Sequence, residues 1–98
     1  PETQLIPQKG DDASTTLTHL NWVYEALHAT PSESFNDPSR LKDIMWDYAT
    51  VVGRGSVLWP LRFSLSGRAK SPDPFIIASL IGRDATLRRI ESARSKIA

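Results

Sequence analysis

Apolar residues recur along this chain at three- and four-residue steps, the spacing of one face of a helix. Leu17, Leu20, Val23, Tyr24 and Leu27 make one such stripe, which predicts a first helix from about Ser14 to Ala29. Ser14 or Thr15 offers its cap, and Thr30-Pro31 ends it, because the residue before a proline is driven out of helical geometry. Asp37-Pro38 opens a second helix, an N-cap followed by proline at the first helical position. Its stripe is Leu41, Ile44, Met45, Tyr48 and Val52, and Gly53 stops it. After the Gly53-Arg54-Gly55 turn, Ser56 can cap a third helix carrying Val57, Leu58, Leu61 and Leu65. Pro60 suits a helix only in its first turn, which places the start near Val57, with Gly67 as the stop. Asp73-Pro74 repeats the cap-plus-proline signature ahead of Phe75, Ile76, Ile77, Leu80 and Ile81, ending at Gly82. Asp84 is expected to cap a last helix with Leu87, Ile90 and Ile97 inward and Arg88, Arg89, Arg94 and Lys96 outward. No alternating strand pattern with turn chemistry is present. The pattern predicts an all-α, compact bundle of about five helices.

The chain has 98 residues, room for a single domain with one modest core. Residues 1–13, with two prolines, a glycine and few apolar side chains, read as a lead-in or linker, leaving 14–98 as the domain. No run approaches the ~18 apolar residues of a membrane span. The opening residues show no basic-then-apolar leader, and a start at Pro1 rather than methionine leads us to expect a piece of a longer protein. Zero cysteines excludes a disulfide framework and thiolate metal sites, and fits a reducing compartment, so a cytoplasmic location is expected. The net charge of +1 hides an asymmetry. Residues 1–53 carry three basic against eight acidic side chains, and residues 54–98 carry nine basic against three acidic. A basic half is the electrostatic footprint of a nucleic-acid face. The strongest positive potential is expected from Arg54, Arg62, Arg68, Lys70, Arg83, Arg88 and Arg89, unless some of these pair with acids of the first half such as Asp43 or Asp47.

Candidate chemistry is sparse. His19 and His28 lie nine positions apart, not the four of a helical metal pair. Asp43 and Asp47 are one turn apart, but exposed helix carboxylates usually face solvent. Gly53-x-Gly55 is too short for a phosphate-cradling loop or a nucleophile elbow. No catalytic residue and no metal site is expected, and the chain reads as a binding module. Its unusual stretch is "WPLRFSLSGRAKSPDPF", residues 59–75, which mixes aromatics, cations and prolines at the junction of two helices. Single-stranded RNA is held by stacking bases on flat side chains while arginines take phosphates or base edges. Trp59 and Arg62 share a helix face, and residues 71–74 turn into a helix whose first N–H groups can take an oxygen. Phe63 is expected in the core, and Trp59 and Phe75 are compatible with either core or surface. A helical protein-interaction module whose basic face meets an acidic partner is the alternative.

"PLRFSLSG", then "SPDPF", then "LIGRDATLRRI" resemble the C-terminal end of bacterial glutamyl-tRNA synthetases, whose pattern is PLR-x-A-L-[ST]-G, [ST]-P-x-x-[FL] and L-G-[KR]-x-x-[ST]-L-x-R-[LI]. The likeness is close over about residues 53–92; the first half shares the helix layout and "LIPQKG". The resemblance implies the distal helical anticodon-binding subdomain of a class I synthetase, with the anticodon loop of tRNA as partner and the remaining domains of a monomeric parent beside it. It implies that Trp59 and Arg62 approach the anticodon, that Ser71 and Pro72 form a contacting turn, and that Pro74 and Phe75 complete it. Arg54, Arg68, Lys70 and Arg83 would support this surface. Asp73 departs from a usual glycine and Pro74 from a frequent leucine; an N-cap role accounts for Asp73. HIGH-like and KMSKS-like catalytic signatures are absent from these 98 residues, so no cofactor is expected here. ATP, magnesium and the glutamate–tRNA ligase activity would belong to the full-length parent, charging either glutamate tRNA alone or both glutamate and glutamine tRNAs.

Overall fold

A computed structural model describes residues 6–7, 10–68 and 72–97. Four α-helices order the chain: α1 (Ala13–His28), α2 (Pro38–Val52), α3 (Arg54–Ser66) and α4 (Pro74–Ile97). A short 3-10 turn, Ser32–Asn36, joins α1 to α2. No strand occurs among the described residues. The all-α expectation holds, with four helices rather than about five.

Local chemistry explains most boundaries. Asp12, not Ser14 or Thr15, caps α1: its carboxylate accepts from the Thr15 N–H at 2.7 Å. That backbone bond, seconded by the Thr15 side chain, holds the Asp12 carboxyl below the usual carboxylate range. Asp37 caps α2 by accepting from the Ser39 N–H, and Gly53 ends it at φ 118°. Gly53 also opens α3, so the third helix begins at Arg54 and Pro60 lies mid-helix instead of in the first turn. Proline there lacks an N–H to give the preceding turn, at a cost of about 3 kcal/mol. Its ring is buried, and the Ser64 hydroxyl donates to the Pro60 carbonyl at 2.6 Å. Core packing therefore overrides the local preference.

The two expected C-terminal helices follow one another within α4 and meet at Gly82, where the first was expected to end. Within α4, Gly82 has φ 85° and ψ 174°, so residues 74–81 and 83–97 are helical arms on either side of a kink. Asp73 caps the first arm, its carboxylate accepting from the Phe75 N–H at 2.7 Å. The Asp84 carboxylate meets Arg83 at 3.4 Å and provides no observed cap. The Gly82 backbone lies in a region essentially restricted to glycine. A Cβ there would meet nothing within 4 Å, so the penalty for a side chain is conformational. Gly82→Ala is expected to lose about 1–3 kcal/mol, lowering the melting midpoint by about 4–8 °C for each kcal/mol. An unchanged thermal midpoint would show that the kink is not required.

The core gathers Leu20, Val23 and Leu27 of α1, Leu41, Met45 and Ala49 of α2, Val57, Leu61, Phe63 and Leu65 of α3, and Phe75, Ala78, Leu87, Ile90 and Ala93 of α4. Two further members arise outside the predicted stripes. Phe35 is buried from the 3-10 turn, and Ile6, within the segment read as a lead-in, is buried against the bundle. Val52, expected on the α2 stripe, is exposed, and so are Ile76 and Leu80 of the apolar run after Asp73-Pro74, Leu80 at 80%. The first arm of α4 is short and turns Pro74, Phe75 and Ala78 inward, which sends Ile76 and Leu80 to solvent. His19 is also buried, its Nδ1 2.7 Å from the Tyr48 hydroxyl. Tyr48 stacks on Trp22 with centroids 4.0 Å apart, and burial pushes its hydroxyl pKa up.

Candidate nucleic-acid interface

The α3 helix carries Trp59 and Arg62 three positions apart, both half-buried. The Arg62 Nε is shielded from water and has no acceptor among the described residues. A buried guanidinium N–H without a partner is costly, while the rest of the half-buried side chain remains within reach of solvent. Below Arg62 the helix end is fixed by Ser66. Its hydroxyl donates to the Arg62 carbonyl at 2.9 Å and accepts from the Arg68 N–H at 3.1 Å. Gly67, in left-handed geometry at φ 71°, then turns the chain out of the helix. Ser71 and Lys70 lie outside the described residues.

Beyond them, Pro72 is exposed at the start of α4. Pro74 and Phe75 are buried, Phe75 to 3% exposure. Their side chains belong to the core in this conformation, so the Phe75 ring is not presented to a base. Proline at the first helical position followed by an inward residue produces this arrangement.

The basic residues divide into two groups. Arg83 Nε donates to the Thr30 carbonyl at 3.2 Å and its Nη2 to the His28 carbonyl at 2.7 Å, so this guanidinium closes the C-terminus of α1. Arg89 Nη1 donates to the Leu65 carbonyl at 2.5 Å at the end of α3. Both use the negative ends of helices. Arg94 lies 3.9 Å over the Tyr24 ring and bonds Asn21 and Glu91, tying α4 to α1. Arg54, Arg68 and Arg88 are exposed. Arg54 rests 4.7 Å over the Trp46 ring, which Lys42 also approaches at 4.6 Å. The only ion pairs among the described residues are Arg83–Asp84 and Arg94–Glu91. The expected pairing of C-terminal cations with Asp43 or Asp47 is therefore not among them. Helix-end carbonyls take that role, since they lie within the bundle where a guanidinium can be enclosed. The clamp of Arg83 on α1 spans more than fifty positions, and sequence spacing gave no sign of it.

No three His, Asp or Glu residues gather for a metal ion among the described residues. No helix among them is long and apolar enough to cross a membrane.

An anticodon binding domain family matches residues 3–94, nearly the whole chain, and the chain belongs to that family. Relatives that it matches include glutamate–tRNA ligases. The chain is 31% identical over 83 residues to the glutamate–tRNA ligase of Christiangramia forsetii, covering 85% of this chain and 16% of that protein. It is 32% identical over 97 residues to the enzyme of Herpetosiphon aurantiacus, covering 95% of this chain and 18% of that protein. A shorter stretch of 47 residues is 47% identical to the Clostridium kluyveri glutamate–tRNA ligase, 47% of this chain and 10% of that protein. The chain thus spans less than a fifth of the length of these relatives. No solved structure matches.

Proposed function

We propose that this chain is the anticodon-binding part of a glutamate–tRNA ligase and holds the anticodon loop of a glutamate tRNA for a catalytic region carried elsewhere in its parent. The observation that supports this most is the family match over residues 3–94. The physical reading is compatible with it: Arg62 and Trp59, both half-buried, stand one turn apart on α3, and Pro72 is exposed ahead of α4. Arg62 supplies the donor, Trp59 and Pro72 the flat surfaces, and Ser71, between α3 and α4 in the sequence, a hydroxyl. Arg54, Arg68 and Lys70 add charge that draws the phosphate backbone. Arg83 contributes to the fold rather than to this surface. ATP, magnesium and the ligase chemistry are assigned, on the likeness to glutamate–tRNA ligases that are far longer than this chain, to the remainder of a cytoplasmic parent.

Binding by this small piece alone is expected to be weak and to fall steeply with salt, at a log–log slope of about −0.7 per phosphate contact. A titration of two stem-loops, one with a glutamate anticodon and one with an unrelated anticodon, tests the reading. Arg62→Ala is expected to weaken the glutamate stem-loop by about 1–3 kcal/mol. Arg40→Gln, exposed on α2, is expected to leave binding unchanged. Equal binding of both stem-loops, unaffected by Arg62→Ala, would reduce the surface to a nonspecific basic patch. A melt of each variant separates lost contact from lost fold.

A further inference from the structure

A cavity of about 130 Å³ opens between the end of α3 and the second arm of α4. Ile6, Phe63 and Ala93, all buried, form apolar parts of its wall. Arg89, Ser92 and Lys96 also line it. The offsets from 89 to 92, 93 and 96 are three, four and seven positions, which put these α4 side chains on one helix face. Among the described residues no carboxylate lines the cavity, and neither cation has an ion-pair partner. The carboxylate of Glu91, on the same arm, pairs with Arg94 and borders a separate hollow beside Tyr24. The bond from Arg89 to the Leu65 carbonyl fixes its guanidinium while leaving the rest of its donor fork uncommitted. Ser64 also lines the wall, but its hydroxyl proton is already given to the Pro60 carbonyl.

Two like charges facing one partly apolar hollow repel each other more strongly than they would in open water. A bound anion removes that cost. The available donors are a planar fork, an ammonium and a hydroxyl, three different directions of approach. A carboxylate offers two oxygens in one plane, whereas a phosphate presents its oxygens around a tetrahedron and can meet all three. The volume, about 130 Å³, suits one such group and falls below the roughly 300 Å³ at which pockets for larger small molecules begin.

We propose that this cavity is a phosphate-binding site, filled either by a backbone phosphate of RNA or by free inorganic phosphate. The assignment does not depend on how the anticodon loop is read. It is tested by following backbone amides and the Arg89 Nε–H by NMR while potassium phosphate is added, against potassium chloride at matched ionic strength. Saturable shifts are expected at Gly67, Ser92, Ala93 and Arg89. Lys96→Gln is expected to weaken phosphate by about five- to tenfold, the loss of one charge-assisted contact. Ser92→Ala is expected to weaken it less, and Arg40→Gln not at all. Lys96 is exposed near the end of α4, so a thermal melt of the variant should match the parent. In a second arm, a stem-loop RNA is added at saturating phosphate. Competition at the same resonances, with a salt slope reduced by about 0.7 in Lys96→Gln, identifies an RNA phosphate as the source. RNA binding without competition identifies free phosphate. Shifts no larger than those with chloride, or the same affinity in Lys96→Gln as in the parent, overturn the site.

Discussion

Phe35→Ala is expected to remove about 3–5 kcal/mol of stability, the cost of emptying a large buried aromatic site. The ring is only 2% exposed although it stands in a five-residue 3-10 turn. That turn has little of its own to hold it. No side chain caps it, and its backbone bonds include Ser34 N–H to the Pro31 carbonyl and Asp37 N–H to the Ser34 carbonyl. It packs against α2 and α4, so Phe35 is the peg that fastens the α1–α2 connection to the opposite side of the bundle. For a domain whose whole stability is of the order of 5–15 kcal/mol, this loss leaves a large unfolded fraction. Urea unfolding of the variant beside Val51→Ala provides the measure. Val51 is 85% exposed, and its truncation is expected to stay within about 0.5 kcal/mol. A loss below about 1 kcal/mol for Phe35→Ala would mean that the turn does not anchor the core.

Arg83→Ala is expected to cost about 2–3 kcal/mol, without altering RNA affinity at temperatures where the variant is folded. The side chain is 24% exposed, so solvent screening already tempers that figure. The cost has two parts. The guanidinium's bonds to the Thr30 and His28 carbonyls disappear, and the end of α1 loses a cation aligned with its dipole. Arg83→Lys is expected to recover only part, because one ammonium cannot reproduce a planar fork that reaches two carbonyls. Asp84→Ala removes the neighbouring ion pair, whose carboxylate is 80% exposed, and is expected to change stability by less than about 0.5 kcal/mol. Denaturant melts of the three variants separate these terms. Reduced RNA binding by folded Arg83→Ala would instead return this residue to the interface.

Elements whose ends are set by local chemistry were legible in the sequence. Asp37-Pro38 and Gly53 bound α2 where the pattern placed them, because a carboxylate cap, a proline ring and a positive-φ glycine act within a few residues. The start of α3 was misplaced because the local penalty at Pro60 is overridden by burial of its ring. Phe35 went unseen because "PSESFNDP" has no periodicity; its burial depends on α2 and α4 arriving from elsewhere. The same distinction runs through the candidate interface. The three-residue spacing of Trp59 and Arg62 could be read directly. The inward turn of Pro74 and Phe75 depends on the packing of α4, and the use of Arg83 and Arg89 as helix-end clamps depends on partners 53 and 24 positions away.

The kink at Gly82 divides α4 into parts with different obligations. The arm beyond it supplies the clamps and a continuous share of the core. The arm before it contributes Pro74, Phe75 and Ala78, with Ile77 and Ile81 partly buried, while Pro72, Ile76 and Leu80 face outward. Residues 72–81 therefore lie between α3 and the Gly82 kink, seated on the bundle by Pro74, Phe75 and Ala78 alone among their fully buried side chains. A library that varies only the outward positions would change the chemistry of this surface while leaving the supports of the bundle in place.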